Sequence, residues 1–220
     1  MKLNKSQHSE TFAQARPLYE KLGLNVQQAL MTFLNERKIQ YLSIQYRIKS
    51  IKSFLEKVER KSYVDPLNDV EDICGIRIIC YYQSDIKKIQ EIILSEFLIS
   101  ENQNKEELLQ ATEFGYRSTH FIAQIKKDWT RAPNYRNLDT LKFEVQVRTV
   151  LMHSWAEIEH KLSYKSEMQI PKELRRKFSR ISAKLEEADE QFEEIKDSIE
   201  ERKNLFGRLI STRDLIQMSN

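Results

Sequence analysis

Residues 143–165, FEVQVRTVLMHSWAEIEHKLSYK, change periodicity part-way, and few folds accommodate that change. Phe143, Val145 and Val147 alternate with Glu144, Gln146 and Arg148. A period of two predicts a strand with one apolar face in a core. The other face carries a carboxylate, an amide and a guanidinium in one row. Beyond Thr149 the spacing turns helical: His153, Glu157, His160 and Tyr164 stand at i, i+4, i+7 and i+11, on one side of a helix. A polar row running straight into a polar helical stripe predicts one wall of an active site. A salt-bridged amphipathic surface would use the same residues.

The rest of the chain supplies elements for that strand to pair with. Phe12, Ala15, Tyr19, Leu22, Val26, Ala29 and Phe33 predict helix over 5–36, broken into pieces at Pro17 and Gly23, with Asn25 capping the last piece. Residues 39–48 predict a strand, with Gln45, Arg47 and Lys49 on one face, and a helix follows on Ile51, Phe54, Leu55 and Val58. Cations on a strand that precedes a helix N-terminus suit a polyphosphate. Asp65-Pro66 opens a turn or short helix, and Ile76 to Tyr82 predicts a central strand. Asp72, just ahead of it, reads either as a metal-holding carboxylate or as a helix cap. A helix over 85–97, a short strand over 97–100, a polar loop or lid over 101–113, and a glycine turn with a strand over 114–126 come next. In that last strand Tyr116, Ser118 and His120 share a face. Residues 127–140, bearing Trp129 and Pro133, predict a surface loop.

From Leu174 the apolar residues Leu174, Phe178, Ile181, Leu185, Ala188, Phe192, Ile195 and Ile199 are spaced four and three apart. This predicts a coiled-coil-type seam on a helix of about 25–35 residues, serving packing or homo-oligomerisation. The chain thus divides into an N-terminal helical segment (1–38), a catalytic domain (39–166) and a long C-terminal helix (167–220).

Lys and Arg total 36 and Asp and Glu 33 in 220 residues, a net charge of +3 that neither demands nor excludes nucleic acid. Mean hydropathy is −0.62. No apolar run approaches the ~20 residues of a membrane span, and the N-terminus lacks a signal-peptide core. A cytoplasmic protein without membrane contact is expected. Cys74 and Cys80 lie in an apolar run and are expected as reduced, buried thiols. Zinc spacing, the HEXXH pattern, a Walker loop and GxGxxG are all absent. Three polar rows remain: Arg47/Lys49, Tyr116/His120 and Glu144/Gln146/Arg148, with Asp72 at a strand end. Two carboxylates suit Mg²⁺, the cations suit phosphates, and Tyr116 offers a face to a base. The sum points to phosphoryl or pyrophosphoryl transfer between nucleotides.

These residues also carry a family pattern. R47-x-K49, Ser53, Lys57, D72-x-x-G75-x-R77, G115-Y116-R117-S118-x-H120, E144-x-Q146-x-R148-T149 and H153-x-W155-A156-E157 resemble, in order, the RelA/SpoT alarmone synthetase domain from about Tyr41 to Lys165. The helical ends resemble those of the small single-domain synthetases. The resemblance implies an α/β (α+β) fold, with a mixed, nucleotidyltransferase-like sheet flanked by helices. It implies transfer of pyrophosphate from ATP to the 3′-hydroxyl of GDP or GTP, giving (p)ppGpp and AMP, without a hydrolase domain. Asp72 and Glu144 would hold Mg²⁺, and Glu144 would take the hydroxyl proton. Arg47, Lys49, Ser53, Lys57 and Arg77 would bind ATP. Tyr116, His120, Gln146, Arg148, His153 and Glu159 would line the acceptor site, with Tyr116 stacked on the base. One position departs from the pattern. Many guanosine-specific relatives carry a lysine shortly before GYRS, where this chain reads A111-T112-E113-F114. The alternatives are therefore a toxin-type relative acting on the 3′ CCA end of tRNA, with an antitoxin partner, or on an adenosine nucleotide, and a non-catalytic nucleotide-binding regulator.

Overall fold

The period-two runs become the strands of one sheet. The computed structural model describes residues 5–104, 119–164 and 171–218. In chain order its elements are α1 (Lys5–Glu36), β1 (Tyr41–Ile48), α2 (Ile51–Lys61), α3 (Pro66–Asp69), β2 (Cys74–Cys80), α4 (Gln83–Glu96), β3 (Phe97–Asn104), β4 (Thr119–Ile125), two 3₁₀ turns (Lys127–Arg131 and Pro133–Tyr135), β5 (Phe143–Thr149), α5 (Val150–Tyr164) and α6 (Lys172–Met218). The strands lie in the order β1-β2-β5-β4-β3. β2 and β5 run parallel, and every other pairing is antiparallel. The fold is thus α+β with a mixed sheet, as the resemblance implies.

Alternation sorts the sheet into two faces. Ile76, Ile78, Phe121, Ala123, Val145 and Val147 are buried on one face, in a core shared with Phe12, Leu22, Val26 and Leu30 of α1 and Ile89, Ile92 and Ile93 of α4. Cys74 and Cys80 belong to this core as free thiols, and burial pushes both up to about 12. Deprotonation at neutral pH is thereby suppressed.

α1 is one unbroken helix, which corrects the expected break at Pro17 and Gly23. Gly23 is buried, and a Cβ there would lie 2.5 Å from Cδ2 of Tyr46, so the missing side chain lets β1 approach closely. Asn25 is no cap: its amide donates to the carbonyls of Lys21 and Asn134. Burial of Phe12, Tyr19, Leu22, Val26, Leu30 and Leu34 along the helix offsets the ~3 kcal/mol that an interior proline costs. Residues 127–140 also differ from a plain surface loop. Trp129 packs on Phe97, Phe33 and Tyr135 with ring centroids 5.2, 5.9 and 5.1 Å away, and Leu138 is fully buried.

α6 spans 47 residues, well beyond the predicted length. It docks through its polar residues. Ser182 and Asp189 are buried, Asp189 accepts from Thr149 Oγ1 at 2.5 Å, and Glu193 accepts from the Ser84 backbone N–H at 3.0 Å. Lys196 donates to Ser84 and to Glu193, both at 2.7 Å, and sits 4.9 Å from the centroid of the Tyr82 ring. Ile181, Phe192, Ile195 and Ile199 face outward, each about half exposed. Within one chain the predicted seam is therefore divided, with Phe178, Leu185 and Ala188 partly buried and these four residues on the outer surface. Among the described residues no helix is long and apolar enough to cross a membrane.

Candidate active site

The second face of the sheet is polar, and strand register brings its rows together. Gly75 of β2 lies opposite Arg47 of β1 on one side and Glu144 of β5 on the other. One rung along, Arg77 lies opposite Gln45 and Gln146, and Gln146 lies opposite His120 of β4. These rungs floor a trough of about 350 Å³ lined by Gln45, Tyr46, Arg47, Lys49, Ser53, Asp72, Gly75, Ile76, Arg77, Glu144, Gln146 and Glu157. Gly75 matters to this shape, because without a side chain it leaves the floor open between Arg47 and Glu144. The α2 N-terminus forms one end. Ser50 caps it, accepting from the Ser53 N–H at 3.2 Å, and Ser53 faces the trough.

Two of the three carboxylates in this space, Asp72 and Glu144, stand in different settings. Asp72 accepts from Lys49 Nζ at 2.7 Å and from Lys57 Nζ at 3.0 Å. Burial pushes its carboxyl up, but these hydrogen bonds and the two positive charges outweigh burial and hold it below the ordinary range. Asp72 therefore caps no helix; it lies in the trough, paired with two lysines. Glu144 accepts from His120 Nδ1 at 2.6 Å and from Gln146 Nε2 at 2.9 Å. Burial raises its carboxyl, and the His120 contact, helped by Gln146, brings it below the usual value. An ionised Glu144 can only accept, so the proton lies on His120 Nδ1. Asp72 in turn acts on Glu144 by charge repulsion. Both line the same trough, and a cation held between them would relieve that repulsion.

Arg77 reaches across the trough. Its Nη1 donates to Glu157 Oε1 of α5 at 2.8 Å, joining residues 80 apart in sequence. Beyond Gln146, Arg148 and His153 extend the polar row. Burial followed by the charge of Arg77 lowers both from their ordinary values, and Glu157 opposes the shift in each case. Among the described residues, Gln146 Oε1, Arg148 Nε and His153 Nδ1 are buried atoms with no hydrogen-bond partner. Buried polar atoms are rarely left so unless a ligand or water completes them.

Of the residues singled out by sequence, Arg47, Lys49, Ser53, Asp72, Arg77, Glu144 and Gln146 line one trough, with Lys57 and His120 bonded to its carboxylates. Tyr116 lies outside the described residues, as does Glu113. Glu159 is not among the lining residues. It stands two positions beyond Glu157, about 200° further round the helix. Sequence reasoning gave no binding role to Gln45, Tyr46 or Glu157. For Glu157 the signal was present in the helical stripe with His153 and His160. Tyr46 reads from alternation as a core residue.

The comparisons with known proteins agree with this geometry. A model of the region found in RelA / SpoT proteins matches residues 46–169. The GTP pyrophosphokinase YjbM of Bacillus subtilis (strain 168) is 31% identical over 165 residues, covering 74% of this chain and 75% of that protein. Among solved structures, the small alarmone synthetase 1 from Bacillus subtilis bound to its product pppGpp superposes with a TM-score of 0.68 at 26% identity, over 86% of this chain and 96% of that one. Small alarmone synthetase 2 from Bacillus subtilis gives 0.70 at 25% identity, over 85% and 99%.

Proposed function

Because this chain belongs to the RelA/SpoT family, we propose that it is an ATP-dependent pyrophosphokinase that transfers the β,γ-pyrophosphate of ATP to the 3′-hydroxyl of GDP or GTP. The observation that carries this reading is the trough. Cations from β1 and β2 and carboxylates from the β2 entrance and β5 meet in one space large enough for nucleotide phosphates. Arg47, Lys49 and Arg77 hold the ATP phosphates, with Lys57 steadying Asp72. Arg148 and His153, whose buried nitrogens lack partners, complete the acceptor side. Tyr116 stacks on the acceptor base in this reading.

The donor set fits Mg²⁺, which binds through one or two carboxylates plus substrate phosphates rather than an all-protein cage. Asp72 and Glu144 would hold it. When bound, it neutralises charge on the phosphate oxygens and aligns them.

The step balances simply. The acceptor 3′-oxygen forms a bond to the β-phosphorus of ATP, and the bond from that phosphorus to the α,β-bridging oxygen breaks, releasing AMP. The hydroxyl proton goes to Glu144, which is poised as an ionised base by His120 and Gln146.

A guanine nucleotide is favoured over a tRNA 3′ end, because the curated relatives are named GTP pyrophosphokinases. No observation supports a tRNA acceptor or an antitoxin partner. The outward row of Ile181, Phe192, Ile195 and Ile199 supports a homo-oligomer joined through α6, with the catalytic part, 39–166, between terminal helices. A cytoplasmic location follows from nucleotide substrates. The test is incubation with γ-labelled ATP and Mg²⁺ plus GDP, GTP, ATP or tRNA in turn. Label should enter GDP and GTP with release of AMP. Label appearing as inorganic phosphate, or in tRNA instead, would overturn the reading.

A further inference from the structure

Glu157 is the third carboxylate of the trough, after Asp72 and Glu144, and the one that comes from α5. It lines the space, yet its only described partner is Arg77, a cation from a different element. The surroundings show what it does there. Arg77, Arg148 and His153 crowd together closely enough that Arg77 depresses the protonation of both others. Glu157 is the one acid that counters both shifts. The two guanidinium charges, Arg77 and Arg148, repel one another at the sheet surface unless something holds them, and a long arginine side chain has water to move into. Arg77 keeps 30% side-chain exposure and Glu157 48%, and among the described residues Glu157 is the hydrogen-bond partner that fixes the guanidinium across the trough.

We propose that Glu157 is a positioning residue for the ATP side of the site: its carboxylate holds the Arg77 guanidinium across the trough, between β2 and α5, ready for the nucleotide. The inference rests on the pyrophosphokinase reading above. The pair persists when ATP binds, since a guanidinium has five N–H donors and gives only one to Glu157. The remaining donors stay available to phosphate or base. Pre-forming this arm removes an ordering cost from binding.

The experiment is a double-mutant cycle on ATP affinity, read by calorimetry with Mg²⁺ and no acceptor, and repeated as kcat/KM for label transfer. Glu157→Gln keeps shape and loses charge. It should weaken ATP binding about tenfold, in the range of a charge-assisted hydrogen bond, while kcat changes by less than about threefold. Glu157→Asp, which keeps the charge, should recover part of the affinity. In an Arg77→Ala background, Glu157→Gln should cost nothing further. The proposal is overturned if Glu157→Gln binds ATP as wild type does, if it lowers kcat alone, or if it costs as much without Arg77 as with it. Wild type failing to bind ATP at all would overturn both this inference and the functional reading. Wild-type binding with an unaffected Glu157→Gln sinks the positioning role alone.

Discussion

Gly75 separates what the fold needs from what the chemistry needs, so its substitution should move stability and activity in opposite directions. Its backbone is not in the left-handed region, and the nearest heavy atom to an added Cβ is the Arg47 carbonyl oxygen at 3.9 Å, an ordinary contact. An alanine therefore meets no obstacle from the protein. Glycine inside a strand is disfavoured against alanine by about 0.5–1 kcal/mol, mostly through the unfolded chain's freedom. Gly75→Ala should hold or raise stability, and for a chain of this size the gain corresponds to about 1–4 °C in Tm. The same methyl rises from the trough floor between Arg47 and Glu144. It displaces whatever sits there by about 1 Å, and a misplacement of that order costs on the order of 10²-fold in rate. Gly75→Val enlarges the effect. Scanning fluorimetry gives Tm, and label transfer from ATP to GDP gives kcat/KM. If Gly75→Val turns over at the wild-type rate, the trough floor is not where substrate lies. If Gly75→Ala lowers Tm by several degrees, the glycine serves packing and the argument fails.

Glu144→Gln should reduce kcat by about 10³-fold, or ~4 kcal/mol, with Tm close to wild type, since an amide oxygen can still accept from His120; near-normal turnover would remove Glu144 from the chemistry. Glu193 is held down to about 2 against burial by Lys196 and Ser84. A depressed carboxyl stabilises the fold fully above its unfolded value near 4.5 and loses that contribution as pH falls toward 2. The Tm gap between wild type and Glu193→Gln should accordingly stay constant from pH 7 to about 5 and close below it, and a gap that widens in acid contradicts the contact. Phe192→Asp combined with Ile195→Asp should lower the solution mass in light scattering without unfolding the chain, because both side chains are about half exposed in the single chain; an unchanged oligomer mass would show that this face is not the contact.

Most of the sheet was legible because each strand carries its own alternation. β1, β2 and β5 emerge from Ile44 to Lys49, Ile76 to Tyr82 and Phe143 to Arg148 close to their observed bounds. The site was legible for the same reason: alternation places Arg47, Glu144 and Gln146 on polar faces, and register does the rest. What escaped depends on partners remote in sequence. Gly23 looks like a helix breaker until Tyr46 is seen against it. Asn25 looks like a cap until its amide is found on Asn134, 109 residues away. Trp129 sits in a segment with no regular period, so nothing local announces that it fills the space beside Phe97 and Phe33. In α6 the apolar spacing is correctly helical but misleads about the inward face, which Ser182 and Asp189 occupy through a bond to Thr149.

The parallel pairing of β2 with β5 also has a consequence for when the activity can arise. Parallel neighbours need a long excursion between them, and here α4, β3 and β4 are made in the interval. During synthesis the ribosome delivers one half of the trough first, Arg47, Lys49, Asp72 and Arg77, and only much later Glu144, Gln146 and Glu157. A nascent chain stopped before β5 therefore holds the cations and Asp72 without Glu144 and Glu157, and its trough is half built. Because β5 must insert between strands already made, closing the sheet and gaining a competent site are one event. The complete trough is thus withheld until translation has passed Glu157.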